Sequence, residues 1–186
     1  MRLDLARDPL VWRTRRFVMR PLEPADAAGL LALFGDPDVV EHMDIYPLED
    51  MEEAEGVIAW ATDRRARGLG VRWGVRESGG EDLIGTCGFN TLELDRGRRG
   101  EVAYDLARAA WGRGVMSEIL PQLVDLGFRG LGLRRLEAFV NLDNARSRRL
   151  LERHGFACEG VLREHGFWKG RFWDQAVYGR LASSAD

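Results

Sequence analysis

The chain has 186 residues, a length suited to one domain, and 45% of them are hydrophobic, enough to bury a core without disulfide or metal staples. Its formal net charge is −3, with 27 basic and 30 acidic residues interspersed, which argues against nucleic acid or a membrane surface as the main partner. No apolar run approaches the ~18 residues of a membrane span, no apolar stretch follows the N-terminal charges, and Cys87 and Cys158 lie far apart without metal-ligand spacing. A soluble, cytoplasmic protein with free thiols and no metal is the expectation.

Lys169 is the sole lysine, and every other basic side chain is an arginine. Arginine forks suit phosphates and carboxylates, although a general preference for arginine in the genome explains the same bias.

In chain order, residues 1–12 and the tail from Ala182 read as loosely held ends of a single domain spanning 1–186, with its core at about 14–181. Phe17 to Leu22 reads as a short strand stopped by proline. Pro24-Ala25-Asp26 opens a helix carrying Leu30, Leu31, Leu33 and Phe34, and Gly35 to Asp38 breaks it. A second helix, Leu48 to Arg67, carries Met51, Ala54, Val57, Ile58 and Ala61 at helical spacing. The period then changes to two. Val71–Arg76, Asp82–Leu92 and Glu101–Leu106 read as three antiparallel strands.

A turn at Trp111 to Gly114 leads into a helix running to about Arg129, with Pro121 calling for a kink or a distorted first turn. Arg135–Val140 is a strand and Asn144–His154 a helix. Two final strands, Gly155–Trp168 and Arg171–Leu181, meet at a tight turn. A meander followed by a β-α-β crossover predicts a mixed, mostly antiparallel α/β (α+β) sheet of about seven strands flanked by about four helices.

Three segments carry chemistry. Gly112-Arg113-Gly114 opens a helix whose first amides, from Arg113 through Val115 and Met116 to Ser117, point outward, and such a turn can hold a pyrophosphate with added side-chain contacts from Arg113 and Ser117; many G-x-G turns, however, are merely tight. Asn144 reads as a helix N-cap with Ser147 in the first turn. Glu101 heads the strand that enters the glycine turn, where a carboxylate can accept a proton from an amine; it also fits a solvated strand end beside Arg98 and Arg99. Glu41, His42 and Asp44, between the first two helices, are rival bases.

Tyr104-Asp105-Leu106 followed by Trp111-Gly112-Arg113-Gly114-Val115-Met116-Ser117 resembles the acetyl-CoA-binding motif of the GNAT superfamily, written Q/R-x-x-G-x-G/A. Trp111 stands where the branch that acetylates ribosomal-protein N-termini has Trp, and Gly114 matches the central glycine. Met116 departs from the last small residue: it either narrows the cradle or turns into the core. Asn141-x-x-Asn144-x-x-Ser147, closing on Gly155-Phe156, is similar to the second block of that branch. Glu159–His165 and Lys169–Asp174, with an aromatic cluster of Trp168, Phe172 and Trp173, resemble its last hairpin and suggest core, acceptor wall or dimer contact.

The resemblance implies an N-acetyltransferase acting by direct attack in a ternary complex. It implies acetyl-CoA in a cleft where the strand at Glu101–Leu106 splays from the strand at Arg135–Val140, with Glu101 as base, Ser147 as acid, a strand amide near Leu106 as carbonyl donor and the remaining quoted residues, Asn141 and Asn144 included, around the cofactor. The acceptor is a protein N-terminus or a small amine, a homodimer is common among such proteins, and a catalytically idle CoA-binding relative is the rival that Met116 keeps open.

Overall fold

The computed structural model describes Leu5 and residues 10–183. Among them, eight strands form one sheet in the order β1-β2-β3-β4-β5-β6-β8-β7, where β1 is Trp12–Arg13, β2 Phe17–Pro21, β3 Val71–Glu77, β4 Gly85–Glu93, β5 Arg99–Leu106, β6 Arg135–Asn141, β7 Ala157–Trp168 and β8 Arg171–Leu181. Every neighbouring pair is antiparallel except β5–β6. Five α-helices accompany the sheet: α1 Ala27–Phe34, α2 Pro37–Val40, α3 Met51–Ala66, α4 Val115–Asp125 and α5 Ala145–Arg153. The expected mixed sheet is present. The two-residue β1 and four-residue α2 are the additions, both too short to leave a periodic signature.

Period-two burial divides the sheet into two faces. Val71, Trp73 and Val75 of β3, with Cys87 and Phe89 of β4, join the core that contains the buried side of α4. The opposite face is covered by α1 and α3, whose Leu30, Leu33, Phe34, Ala54, Ile58 and Ala61 form a second cluster. Helix α3 starts where the Asp50 carboxylate accepts from Glu53 N at 3.0 Å, with Glu52 and Glu53 in its first turn and Arg64 and Arg65 in its last, each complementing the helix dipole. Met51, expected on its apolar stripe, is exposed.

Helix α4 runs through Pro121, which sits on its exposed side, so the missing N–H deprives a carbonyl that water can reach. The irregular turn comes later, as a wide π-type segment at Leu126–Gly130.

The N-terminal segment is not loosely held where it is described. Leu5 and Leu10 are buried in the core, and Trp73 Nε1 donates to Leu10 O at 2.6 Å. The rest of that expectation, residues 1–4, 6–9 and 184–186, falls outside the described residues. The aromatic cluster divides in two. Trp168 stacks on Trp173 at 5.5 Å, whereas Phe172 meets Phe167 in an exposed edge pair. No described helix is long and apolar enough to cross a membrane.

Candidate active site

The parallel pairing of β5 with β6 lasts for three residues only, ending at Glu101↔Glu137. Beyond that point β5 stays with β4, as far as Gly85↔Leu106, and β6 stays with β8, as far as Asn141↔Gln175. The two strands therefore part, and their gap opens into a cleft of about 1980 Å³. Ala107 N donates to Ile84 O, so the alternation of an antiparallel pair turns the main-chain groups of Tyr104 and Leu106 away from β4 and towards the gap. Leu106 O is taken by Trp111 Nε1 at 2.8 Å, and the Leu106 N–H is the donor left facing the gap.

The glycine turn supplies the floor at one end. Gly112 and Gly114 both have φ near +71°, a conformation that costs a residue with a side chain about 1–2 kcal/mol. Glu118 N makes the first helical bond of α4, to Gly114 O, so the amides of Val115, Met116 and Ser117 precede the helical ladder. Arg16 holds the other side of this turn. Its guanidinium donates to Arg113 O at 3.2 Å and Gly114 O at 3.3 Å, while its Nε donates to Glu118 Oε2 at 2.6 Å. Drawing the carbonyls towards Arg16 leaves the amide side of the turn for an anion, so these residues fit a pyrophosphate.

Hydrogen bonds from Thr14 and Arg16 pull the Glu118 carboxyl down to about 2. The Met116 side chain is buried in the core, 5% exposed, and does not fill the turn. The Arg113 guanidinium is engaged with Glu77 at 2.5 Å, and Arg113 is the one expected site residue that does not border the cleft.

Across the gap, α5 begins at Asn144, whose side-chain oxygen accepts from Ser147 N at 3.1 Å. Ser147 Oγ lies 2.7 Å from Tyr104 Oη, a contact between elements 43 residues apart. Burial pushes the Tyr104 phenol up to about 12, against the hydrogen bond with Ser147. Arg146 covers the Trp111 ring at 4.6 Å, and Arg149 and Arg153, on the same helix, also border the cleft.

Glu101 lies three residues before Tyr104 on β5 and so projects from the opposite face, where α1 and α3 pack. Its carboxyl is raised above the usual value, by burial first and then by Glu137 and Asp44, while hydrogen bonds from Thr91 and Asn90 lower it. Thr91 Oγ1 lies 3.1 Å from Glu101 Oε2. Asn90 is held in turn: Arg72 Nη1 donates to Asn90 Oδ1 at 3.1 Å, which leaves the amide NH₂ for Glu101. The same guanidinium binds Thr86 and the Asp105 carboxylate, the latter at 2.5 Å. The side chain of Asp105 is thus committed to Arg72 and Thr86, which border the cleft with it, and its main chain faces β4.

Asn141 is similarly committed. Its Nδ2 donates to His42 O at 3.3 Å, and its Oδ1 accepts from Gln175 at 3.3 Å, so its side chain is spent joining β6 to β8 and to the segment after α2 rather than left for the expected cofactor contact. Of the rival bases, Glu41, His42 and Asp44 all border the cleft, and His42 Nδ1 is buried without a partner. Arg16, Arg72 and Asn90 had no signal in the sequence, since each acts through partners distant along the chain. Among the described residues, no group of three or more His, Cys, Asp or Glu is placed to hold a metal.

Residues 16–157 match the family model described as the acetyltransferase (GNAT) domain. The chain belongs to the GNAT acetyltransferases. Acetyl-CoA is accordingly its acyl donor and an amine its acceptor. The acetyltransferase is 37% identical over 168 residues, 90% of its own length and 94% of the relative's, to the uncharacterized N-acetyltransferase p20 of Bacillus licheniformis. It is 30% identical over 104 residues to the ribosomal-protein-serine acetyltransferase of Escherichia coli, 56% of this chain and 58% of that one. The fold of RimJ from Mycobacterium smegmatis, solved with CoA-disulfide, superposes with a TM-score of 0.84 at 20% identity, covering 92% of this acetyltransferase and 87% of RimJ.

Proposed function

We propose that this enzyme transfers the acetyl group to a primary amine, in particular the N-terminal amine of a protein, by direct attack in a ternary complex. What supports the reading is that Glu101 and the Tyr104–Ser147 pair project from opposite faces of β5 at the point where it leaves β6. Amides of Val115 to Ser117 hold the pyrophosphate, and Asn144 and the β5 edge line the pantetheine path. The Leu106 N–H donates to the thioester carbonyl, where charge develops.

Glu101, directly or through a water, accepts the proton of the attacking amine. Ser147 gives its proton to the departing sulfur. The likeness to the Escherichia coli ribosomal-protein-serine acetyltransferase favours a protein N-terminus. A small cationic amine is the second reading, favoured by Glu41, Asp44 and Glu53 along the acceptor wall. An idle relative has less support, because the side chain of Met116 lies in the core.

The test is an acetylation assay, read by mass spectrometry, with peptides bearing Ser or Ala N-termini set against spermidine and free amino acids. N-terminal acetylation of peptides is expected. Turnover of spermidine alone would select the second reading, and calorimetry showing no acetyl-CoA binding would remove both.

A further inference from the structure

The Tyr104–Ser147 contact crosses the gap that otherwise separates β5 from α5. It is a side-chain bond over a distance of 43 residues in sequence, in the part of the sheet where β5 and β6 exchange no main-chain bonds. A serine hydroxyl in the first turn of a helix has alternatives. It can rotate back onto a carbonyl three or four residues earlier, here Asn144 O or Asp143 O, and would then present no proton to the cleft. Asn144 fixes the Ser147 main chain through Ser147 N, but it does nothing for the Oγ rotor.

Of the two hydroxyls, the phenol is the better donor and the alkyl hydroxyl the better acceptor. With the Tyr104 hydrogen on Ser147 Oγ, the serine's own hydrogen must point elsewhere, and the open side is the cleft. We propose that Tyr104 is a positioning residue which donates to Ser147 Oγ and so aims the serine proton at the departing sulfur of CoA.

The proposal rests on the reading of Ser147 as the group that protonates the leaving thiolate. In that step the carbon–sulfur bond breaks with its electron pair on sulfur, the Ser147 proton forms the S–H bond, and solvent in the cleft restores the serine proton. Tyr104 keeps its own proton throughout. A phenol pushed up to about 12 by burial remains a donor across the working range.

The role has a readout that needs no acceptor. A hydroxyl aimed at the sulfur stabilises the thiolate form and lowers the thiol pKa of bound CoA below the ~8.5 of a free thiol. CoA carrying ¹³C on the carbon next to sulfur reports that pKa by NMR titration in complexes with wild type, Ser147→Ala, Tyr104→Phe and the double variant. We expect Ser147→Ala to raise the bound-thiol pKa by about one unit, the scale of a lost hydrogen bond to a charged group. Tyr104→Phe should reproduce most of that rise, and the double variant should match Ser147→Ala, each complex being titrated at saturating CoA.

A rise in Ser147→Ala but none in Tyr104→Phe overturns the proposal and leaves the Ser147 reading intact. A Tyr104→Phe rise that persists in the Ser147→Ala background overturns it too, since Tyr104 would then act without the serine. No rise in Ser147→Ala removes the Ser147 reading, and the proposal with it. Should Tyr104→Phe not fold, 3-fluorotyrosine at the same position keeps the shape and makes the phenol a stronger donor; it should lower the bound-thiol pKa, and an unchanged value overturns the proposal.

Discussion

The half of the cleft proposed for the cofactor takes its shape from main chain and core, whereas the half proposed for the acceptor is assembled from side chains that arrive from separate parts of the chain. In the first, two glycines with positive φ, a helix start and the buried side of α4 set the positions of the amides, with Thr14, Arg16 and Glu77 bracing the turn from elsewhere in the chain. In the second, α2 and the segment after it are pinned by remote contacts. Lys169 Nζ donates to Val40 O at 2.6 Å, Asn141 to His42 O, and Arg108 pairs with Asp38. Charge divides the same way. Arg146, Arg149 and Arg153 border the cofactor half, and Glu41, Asp44, Glu53 and Glu101 the acceptor half. On the proposed reading, a polyanionic donor and a cationic amine would be drawn to opposite ends, with the transfer where the strands part.

Glu101→Gln tests the junction of the halves and should have the largest effect. We expect kcat to fall by about 10²–10⁴-fold, the usual worth of a general base, with acetyl-CoA affinity unchanged by calorimetry. As the proposed base Glu101 must be ionised, and its folded pKa is raised, so wild-type activity should fall with decreasing pH through a limb lying above the ordinary carboxylate value. The same sign applies to stability. A carboxyl with a raised folded pKa loses folding free energy as pH climbs from its usual 4.5 through the raised value, so Glu101→Gln should melt higher than wild type at neutral pH.

Met116→Ala separates core from cradle. Truncating this buried side chain should cost about 2–3 kcal/mol in denaturant unfolding while leaving acetyl-CoA affinity within a few-fold. A clear gain in affinity would show that the methionine constricts the turn after all. Gly114→Val acts on the cradle itself. A β-branched residue forced to φ +71° should weaken acetyl-CoA binding about tenfold, with a smaller loss of stability. Lys169→Met loosens the acceptor half alone. Losing charged hydrogen bonds worth about 1–2 kcal/mol should raise the acceptor KM several-fold without moving the acetyl-CoA Kd. An equal loss of acetyl-CoA affinity would mean that the halves are not separately built.

The local geometry of the half proposed for the cofactor was legible because its information is local. The glycine spacing, the start of α4 and the Asn144 cap all lie within short stretches whose geometry follows from backbone preference. Its limits were also local. Motif position alone could not say that Asp105 and Arg113 spend their side chains on Arg72 and Glu77, because those partners lie 33 and 36 residues away. Burial in the core, rather than residue type, decided where Met116 points.

By itself, the sequence determined the order of strands and helices, the mixed sheet and the family, since periodicity and short motifs encode them. The splay of β5 from β6 was expected, but only the tertiary structure decided that their pairing ends at Glu101, which faces Glu101 and Tyr104 present, and that Tyr104 meets Ser147. The reason is physical. A pairing that stops after three residues is fixed by competition between neighbouring strands, and contacts across the gap exist only once both walls have packed.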